Sequence, residues 1–286
     1  MTATLVDMPG VSIGHTTLDE AKTGCTVIRF DHATLTAVDV RGAAPGTREL
    51  DLLAPGQAVQ AVDAILLTGG SAFGLRAAEG VVAGLQAIDR GHPTPAGPVP
   101  IVPAAVIFDL TRGHSIAPSL EDGRRAFDGA VPLSLAKQGA VGAGTGAHWG
   151  AISGSPRPGG IGIAQYGIGG GLVTAIVVLN AFGSVDGDHR TAFIETDLTT
   201  VGTGQATTLM SVITDMPCDH GTLMRMCVSA HGALARRVIP AHTLLDGDLA
   251  FASSLLRGPV DLQTSLRLCL ATELTIEAAI LQAAGV

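Results

Sequence analysis

The chain of 286 residues is poor in aromatics (3%, with one Trp and one Tyr), poor in charge (15%), and holds only two lysines, Lys22 and Lys137. A chain of this length can bury a substantial core, and that core must be built from Ala, Val, Leu and Ile rather than rings. A charged fraction well below the usual quarter points to surface covered by other subunits, so a homo-oligomer is expected. No run of Lys or Arg is present and the formal net charge is -8. Such a chain has no patch to neutralise a phosphate backbone or dock on anionic lipid, so neither nucleic acid nor membrane is expected as a partner. The longest apolar stretch, around residues 172–179, is far too short to span a bilayer. The first residues also lack the charged-then-apolar layout of a secretion signal, and a cytoplasmic location is expected.

The four cysteines, Cys25, Cys218, Cys227 and Cys269, form no CxxC pair and read as small buried hydrophobes. HExxH and GxSxG are also missing, which removes the basis for a zinc peptidase or a Ser-His-Asp hydrolase. No metal or other cofactor is expected.

What the sequence does have is glycine, 38 residues of it, and short apolar runs. There is no internal repeat and no low-complexity linker, so one domain spanning residues 1–286 is the simplest account. Strand-like runs fall at residues 25–30, 34–40, 63–68, 101–108, 172–179, 208–214 and 249–253, most of them apolar at every position, as for strands buried on both faces. Helical periodicity falls at residues 73–88, with Ser71 as candidate N-cap, at 219–238 and at 258–284. Glycine- and proline-rich stretches at 91–100 and 154–171 read as surface or site-lining loops. Helices covering strands in this way predict a layered α/β sandwich.

Five segments could carry chemistry. The first, Thr68-Gly69-Gly70-Ser71-Ala72-Phe73-Gly74, leads from a strand into a helix, where free N–H groups suit an oxyanion or carboxylate, although a tight turn fits equally. Next, Gly142 to Ala147 has more glycine than one turn requires, so some group, substrate or neighbouring strand, packs on bare backbone there. Asn180 ends a buried strand, where its amide can donate into a site. Thr207 opens a core strand just after Gly204-Gln205-Ala206, the placement that attack by a hydroxyl on the preceding carbonyl requires. Finally, Asp246 and Asp248 sit two apart in a turn and can face one point, and Asp186-Gly187-Asp188 repeats that pattern without the further acidic ligands of a calcium loop.

Taken in order, Pro9-Gly-Val-Ser-Ile-Gly-His15, Arg41 to Glu49, Leu67 to Leu75, Gly142 to Ala147 and His242-Thr-x-x-Asp-Gly-Asp248 resemble the DmpA-type aminopeptidases. That family includes β-aminopeptidases and nylon-oligomer hydrolases. The resemblance implies a four-layer αββα sandwich, cut by itself between Ala206 and Thr207 into chains 1–206 and 207–286 that stay together, and assembled as a tetramer. It further implies Thr207 as the nucleophile, Asn180 polarising the substrate carbonyl, and Asp246 and Asp248 supporting the nucleophile. Gly69, Gly70 and Ser71, with Gly144 and Thr145, are the expected substrate-binding positions. The implied substrate is a small amide, short peptide or ester. A threonine with a free α-amine carries its own base, which suits a site without a histidine motif.

Two positions depart from the family pattern. Nylon-oligomer hydrolases have a lysine shortly after the glycine segment where this chain reads His148-Trp149-Gly150-Ala151, leaving His148 or Arg157 as nearest replacements. Ala206 stands where asparagine or glycine is usual. An acyltransferase of the same fold and an uncleaved binding protein are the alternatives.

Overall fold

The computed structural model describes residues 4–195 and 206–286. Its strands are β1 (Val11–Leu18), β2 (Thr23–Val40), β3 (Thr47–Arg48), β4 (Ala61–Thr68), β5 (Ala104–Val106), β6 (Val131–Pro132), β7 (His148–Trp149), β8 (Arg157–Pro158), β9 (Gly160–Ile168), β10 (Gly171–Asn180), β11 (Thr207–Cys218) and β12 (Leu249–Arg257). The helices are α1 (Ala77–Gln86), α2 (Leu120–Asp128), α3 (Arg190–Ile194), α4 (His220–Arg237) and α5 (Leu262–Ala284).

The apolar runs are buried on both faces because each central strand has a different layer on either side. Along β10, Ile176 and Val178 enter one cluster, while Val173, Ala175, Val177 and Leu179 enter another. β11 and β12 split the same way, with Leu209, Ile213, Leu249 and Phe251 on one side and Met210, Val212, Ala250 and Ala252 on the other. The first set meets Ile13, Ile28, Ile65 and Leu67 of β1, β2 and β4, forming the core between two sheets. The second set meets Leu223, Met226 and Leu234 of α4 and Leu268, Ile276 and Ile280 of α5. On the far side, α1 and α2 cover β2 and β4 through Val81, Leu85 and Phe127 against Val27 and Leu66. The order helix, sheet, sheet, helix is the expected αββα sandwich.

The two sheets are continuous through β2. Its first half pairs with β1 and its second half with β12, while β4 pairs along both sides of a register shift between Arg29 and Thr34. β11 lies between β10, antiparallel, and β12, parallel.

The sequence runs at 25–30 and 34–40 are therefore one strand, not two. The run at 101–108 shortens to β5, and Ser71 caps no α-helix. Gly70, with φ +81°, leads into a 3-10 turn over Ser71–Arg76, and α1 begins only at Ala77. The stretch at 154–171 is not a loop, since it contains β8 and β9. Its glycines give room for a helix: a Cβ on Gly162 would lie 1.9 Å from the Ala279 carbonyl oxygen of α5. Of the other two helices, α4 starts where the sequence suggests and α5 starts four residues later than the expected 258, with Asp219 and Asp261 each accepting an N–H three residues on.

Candidate active site

Strand parity places Thr207 and Asn180. Thr207 shares the face of Leu209 and Ile213, Asn180 that of Ile176 and Val178, and the register sets Asn180 directly opposite Thr207. Both side chains therefore point into the end of the cleft between the sheets. Both are buried, at 5% and 4% exposure.

The peptide before Thr207 is gripped from one side by residues 245–247. The Ala206 N–H donates to the Leu245 oxygen at 2.9 Å, and the Gly247 N–H donates to the Ala206 carbonyl oxygen at 2.8 Å. The Thr207 hydroxyl lies 2.5 Å from the same oxygen. Position 247 has to be glycine, because a Cβ there would meet Thr207 Oγ1 and the Ala44 oxygen, each at 2.7 Å. The Ala206 methyl packs among Ile152 and Phe182, with Leu245 and Phe193 beside them. Gln205 and Gly204, read as turn-prone, lie outside the described residues.

Both carboxylates of the following turn are buried to 1% exposure and saturated with donors. Asp248 Oδ1 accepts the Thr208 N–H at 2.7 Å, while Oδ2 accepts the His242 N–H at 3.0 Å and faces His242 Nδ1 at 3.0 Å. Asp246 Oδ1 accepts the Phe182 N–H at 3.2 Å, and its Oδ2 accepts the N–H and hydroxyl of Thr243 at 2.9 and 2.5 Å. One residue thus ties the turn to the start of β11 and the other ties it to the end of β10. The turn is backed by residues 41–44, whose N–H groups at Arg41, Gly42 and Ala44 donate to the Asp248 and Asp246 carbonyl oxygens. Burial, and then the neighbouring Asp248 charge, pushes Asp246 up to about 6.

Behind Asp248 lies a histidine pair that the sequence does not announce. His242 meets the buried His231 edge-on, with ring centroids 4.8 Å apart. Desolvation holds His231 down at about 4, so the ring is neutral and donates through Nε2 to the Asp39 oxygen at 3.0 Å.

Asn180 is bonded on both ends of its amide. Oδ1 accepts the His148 N–H at 3.0 Å, and Nδ2 donates to the Phe108 oxygen at 3.4 Å, a long contact. Next to Phe108 stands Asp109, fully buried, its pKa raised by desolvation, with Oδ1 accepting the Gly70 N–H at 2.7 Å. A Cβ on Gly69 would come within 2.1 Å of Asp109 Oδ2. The Gly69-Gly70-Ser71 turn therefore frames the site through Phe108 and Asp109. The second glycine segment packs on a neighbouring strand: a Cβ on Gly144 would sit 2.6 Å from the Ile161 N, and the Thr145 hydroxyl donates to the Gly142 oxygen at 2.6 Å.

A cavity of about 40 Å³ adjoins Ala206, with Asn180, Phe182, His148, Trp149 and Arg112 in its wall. Gly69, Gly70, Ser71, Gly144 and Thr145 are not among the residues lining it. Of the two candidate stand-ins for the lysine, His148 lines the cavity. Arg157 is drawn away, bonded to Asp186 at 2.9 Å and stacked over Trp149 at 5.1 Å. Arg112 was not legible in the sequence, being a lone arginine in a loop with no motif around it. Among the described residues, no group of three or more His, Cys, Asp or Glu is placed to hold a metal ion.

The model of peptidase family S58 matches residues 3–284. The chain belongs to that family. It is similar to an uncharacterized aminopeptidase of Mycobacterium leprae, 42% identical over 197 residues, covering 63% of this chain and 53% of the relative. It is also similar to the 6-aminohexanoate-oligomer endohydrolase of Paenarthrobacter ureafaciens, 36% identical over 182 residues, covering 63% and 48%. The chain thus spans about half the length of these curated relatives. Among solved structures, the β-aminopeptidase of a Burkholderia species superposes with TM-score 0.74 at 22% identity over 96% of this chain and 84% of that one. The L-aminopeptidase D-Ala-esterase/amidase of Ochrobactrum anthropi, described as a variant of the Ntn hydrolase fold, superposes with TM-score 0.77 at 17% identity over the same shares. At these identities the superpositions establish the fold, and this S58 chain has the Ntn-type αββα sandwich.

Proposed function

We propose that this S58 chain is a self-processing N-terminal threonine hydrolase that cleaves small amide, peptide or ester bonds. The observation that carries the reading is the held Ala206–Thr207 peptide, with the nucleophile's hydroxyl on the carbonyl oxygen and the Gly247 N–H on that same oxygen. Attack of Thr207 Oγ1 on the Ala206 carbonyl carbon puts negative charge on the oxygen that Gly247 already contacts. Collapse breaks the carbon–nitrogen bond, the hydroxyl proton ends on the departing nitrogen, and an ester joins Ala206 to Thr207. Water hydrolyses that ester, leaving Ala206 with a carboxylate and Thr207 with a free amine. In turnover that amine takes the hydroxyl proton as Thr207 attacks a substrate carbonyl. Asn180 then turns its amide from Phe108 toward the new oxyanion, while Asp246 and Asp248 keep the turn and the start of β11 in place. Intact mass under denaturing conditions tests the cut, and release of p-nitroaniline from acyl anilides tests the turnover.

The chain is proposed to act as a homo-oligomer in the cytoplasm, with the tetramer suggested by family resemblance as the assembly. Leu262, Leu266, Leu270 and Leu274, four apart on α5, are all at least half exposed and support a covered helix face. No helix among the described residues is long and apolar enough to cross a membrane, and all four cysteines are free, which suits a reducing compartment.

A further inference from the structure

The cavity beside Ala206 lies on the acyl side of the bond to be cut, so whatever fills it in turnover is the acyl part of a substrate. Its charge is one-sided. Among the described residues in its wall, Arg112 is cationic and none is acidic. Arg112 makes no ion pair with any described carboxylate. Asp109 feels the guanidinium's field but is fully buried beneath the Gly69-Gly70 turn and holds the Gly70 N–H instead. The other nearby arginine, Arg157, is already neutralised by Asp186. His148 completes the polar wall: burial lowers its pKa, and with Nδ1–H donating to the Gly146 oxygen at 2.9 Å the ring keeps Nε2 as an acceptor. Among the described residues, Asp246 and Asp248, the carboxylates of the neighbouring turn, point inward and are saturated by Phe182, Thr243, Thr208 and His242.

We propose that Arg112 is a specificity-determining residue that selects amides whose acyl group carries a carboxylate, such as monoamides of short dicarboxylic acids. This rests on the hydrolase reading and narrows it. With no ion-pair partner among the described residues, the guanidinium attracts a carboxylate and repels an ammonium, and its planar fork suits bidentate contact with two oxygens. Apolar Ala151, Pro156 and Phe182 in the same wall then take the short carbon chain.

Three p-nitroanilides of matched acyl length separate the possibilities: succinyl (anionic), butyryl (neutral) and β-alanyl (cationic). For the parent protein, kcat/KM for the succinyl substrate should exceed that for butyryl by about tenfold or more, with β-alanyl slowest, a size expected for a charge-assisted contact. In Arg112→Gln the succinyl to butyryl ratio should fall to near one, chiefly through KM, and Arg112→Lys should keep part of it. A parent that prefers the β-alanyl substrate, or an unchanged ratio in Arg112→Gln, overturns the proposal. Should no anilide be turned over, calorimetric binding of succinamate decides: binding that Arg112→Gln abolishes supports the assignment, and no binding to the parent overturns it. The intact mass of the same preparations shows separately whether the self-cleavage reading has failed.

Discussion

The chain contains Asp-Gly-Asp twice, and the two copies have opposite fates. At residues 186–188 the aspartates stay exposed and are paid in cations: Arg157 sits on Asp186 at 2.9 Å, and Arg190 sits on Asp188 at 2.6 Å. The Ser184 hydroxyl holds the Asp186 carboxyl below its ordinary range, and the Arg190 hydrogen bonds hold Asp188 at about 2. At residues 246–248 no arginine or lysine among the described residues bonds either side chain; the partners are N–H groups, a hydroxyl and a histidine, and burial moves Asp246 the other way, up to about 6. The difference lies in what surrounds the motif. The second turn is bridged to Ala206 and roofed by residues 41–44, where a Cβ on Gly42 would fall 2.2 Å from the Asp248 N. Burial and backbone placement, not the three-letter pattern, set the environment of each copy.

Removing Asp248 should break this contrast most severely. Asp248→Ala strands the Thr208 and His242 N–H groups, each costing about 1–3 kcal/mol if unpaired, and frees the start of β11. The half-time of self-cleavage, followed on denaturing gels, should lengthen by about a hundredfold or more, the scale of a lost electrostatic anchor at a reacting centre. Asn180→Ala should separate the two reactions. In the proposed self-cleavage the Gly247 N–H is the oxyanion donor, so the cut should proceed, whereas kcat for an added amide should fall by about a hundredfold with little change in KM. A variant that fails to cut would place Asn180 in the first step as well.

A smaller effect concerns pH. An unfolded aspartate ionises near 3.8, whereas Asp246 in the folded chain does so at about 6. The folded state therefore holds a proton that the unfolded state has lost, and the stability from this group is present below 3.8 and lost as pH rises to about 6. The Tm difference between the parent and Asp246→Ala should shrink across that window. The neutral buried His15 and His231, both held down at about 4, impose the opposite slope on both proteins and cancel in the difference. Least affected should be Asp188→Asn in the exposed copy, where solvent screens the pair with Arg190. Its cleavage half-time and Tm should match the parent's, and EDTA should change neither self-cleavage nor turnover.

Continuously apolar strands, the helical periodicity at 219–238 and the glycine turn after β4 were legible because each is a local signal, whereas the caps at Asp219 and Asp261 were not singled out. β9 was not, since its glycines, required by the approach of α5 at Gly162, look from the sequence like a loop. The unity of β2 was hidden too, because the polar residues at its bend, Asp31 and His32, resemble a turn between two strands. In the site, Thr207, Asn180, Asp246 and Asp248 were marked as candidates by their own segments and given roles by the resemblance, and the register of β10 against β11 brings the first two face to face. The grip of Gly247 on Ala206, the His231–His242 pair and Arg112 depend on contacts between segments distant in the chain, for which no spacing rule exists.

Denaturing mass spectrometry of freshly purified protein tests the central claim most directly. The account predicts two species, residues 1–206 and 207–286, that migrate together under native conditions because β11 is the middle strand between β10 and β12. Thr207→Ala should give one uncut species without turnover, while Thr207→Ser and Thr207→Cys should still be cut, more slowly. A parent chain that stays full-length after long incubation would contradict the account and return the protein to the uncleaved binding alternative.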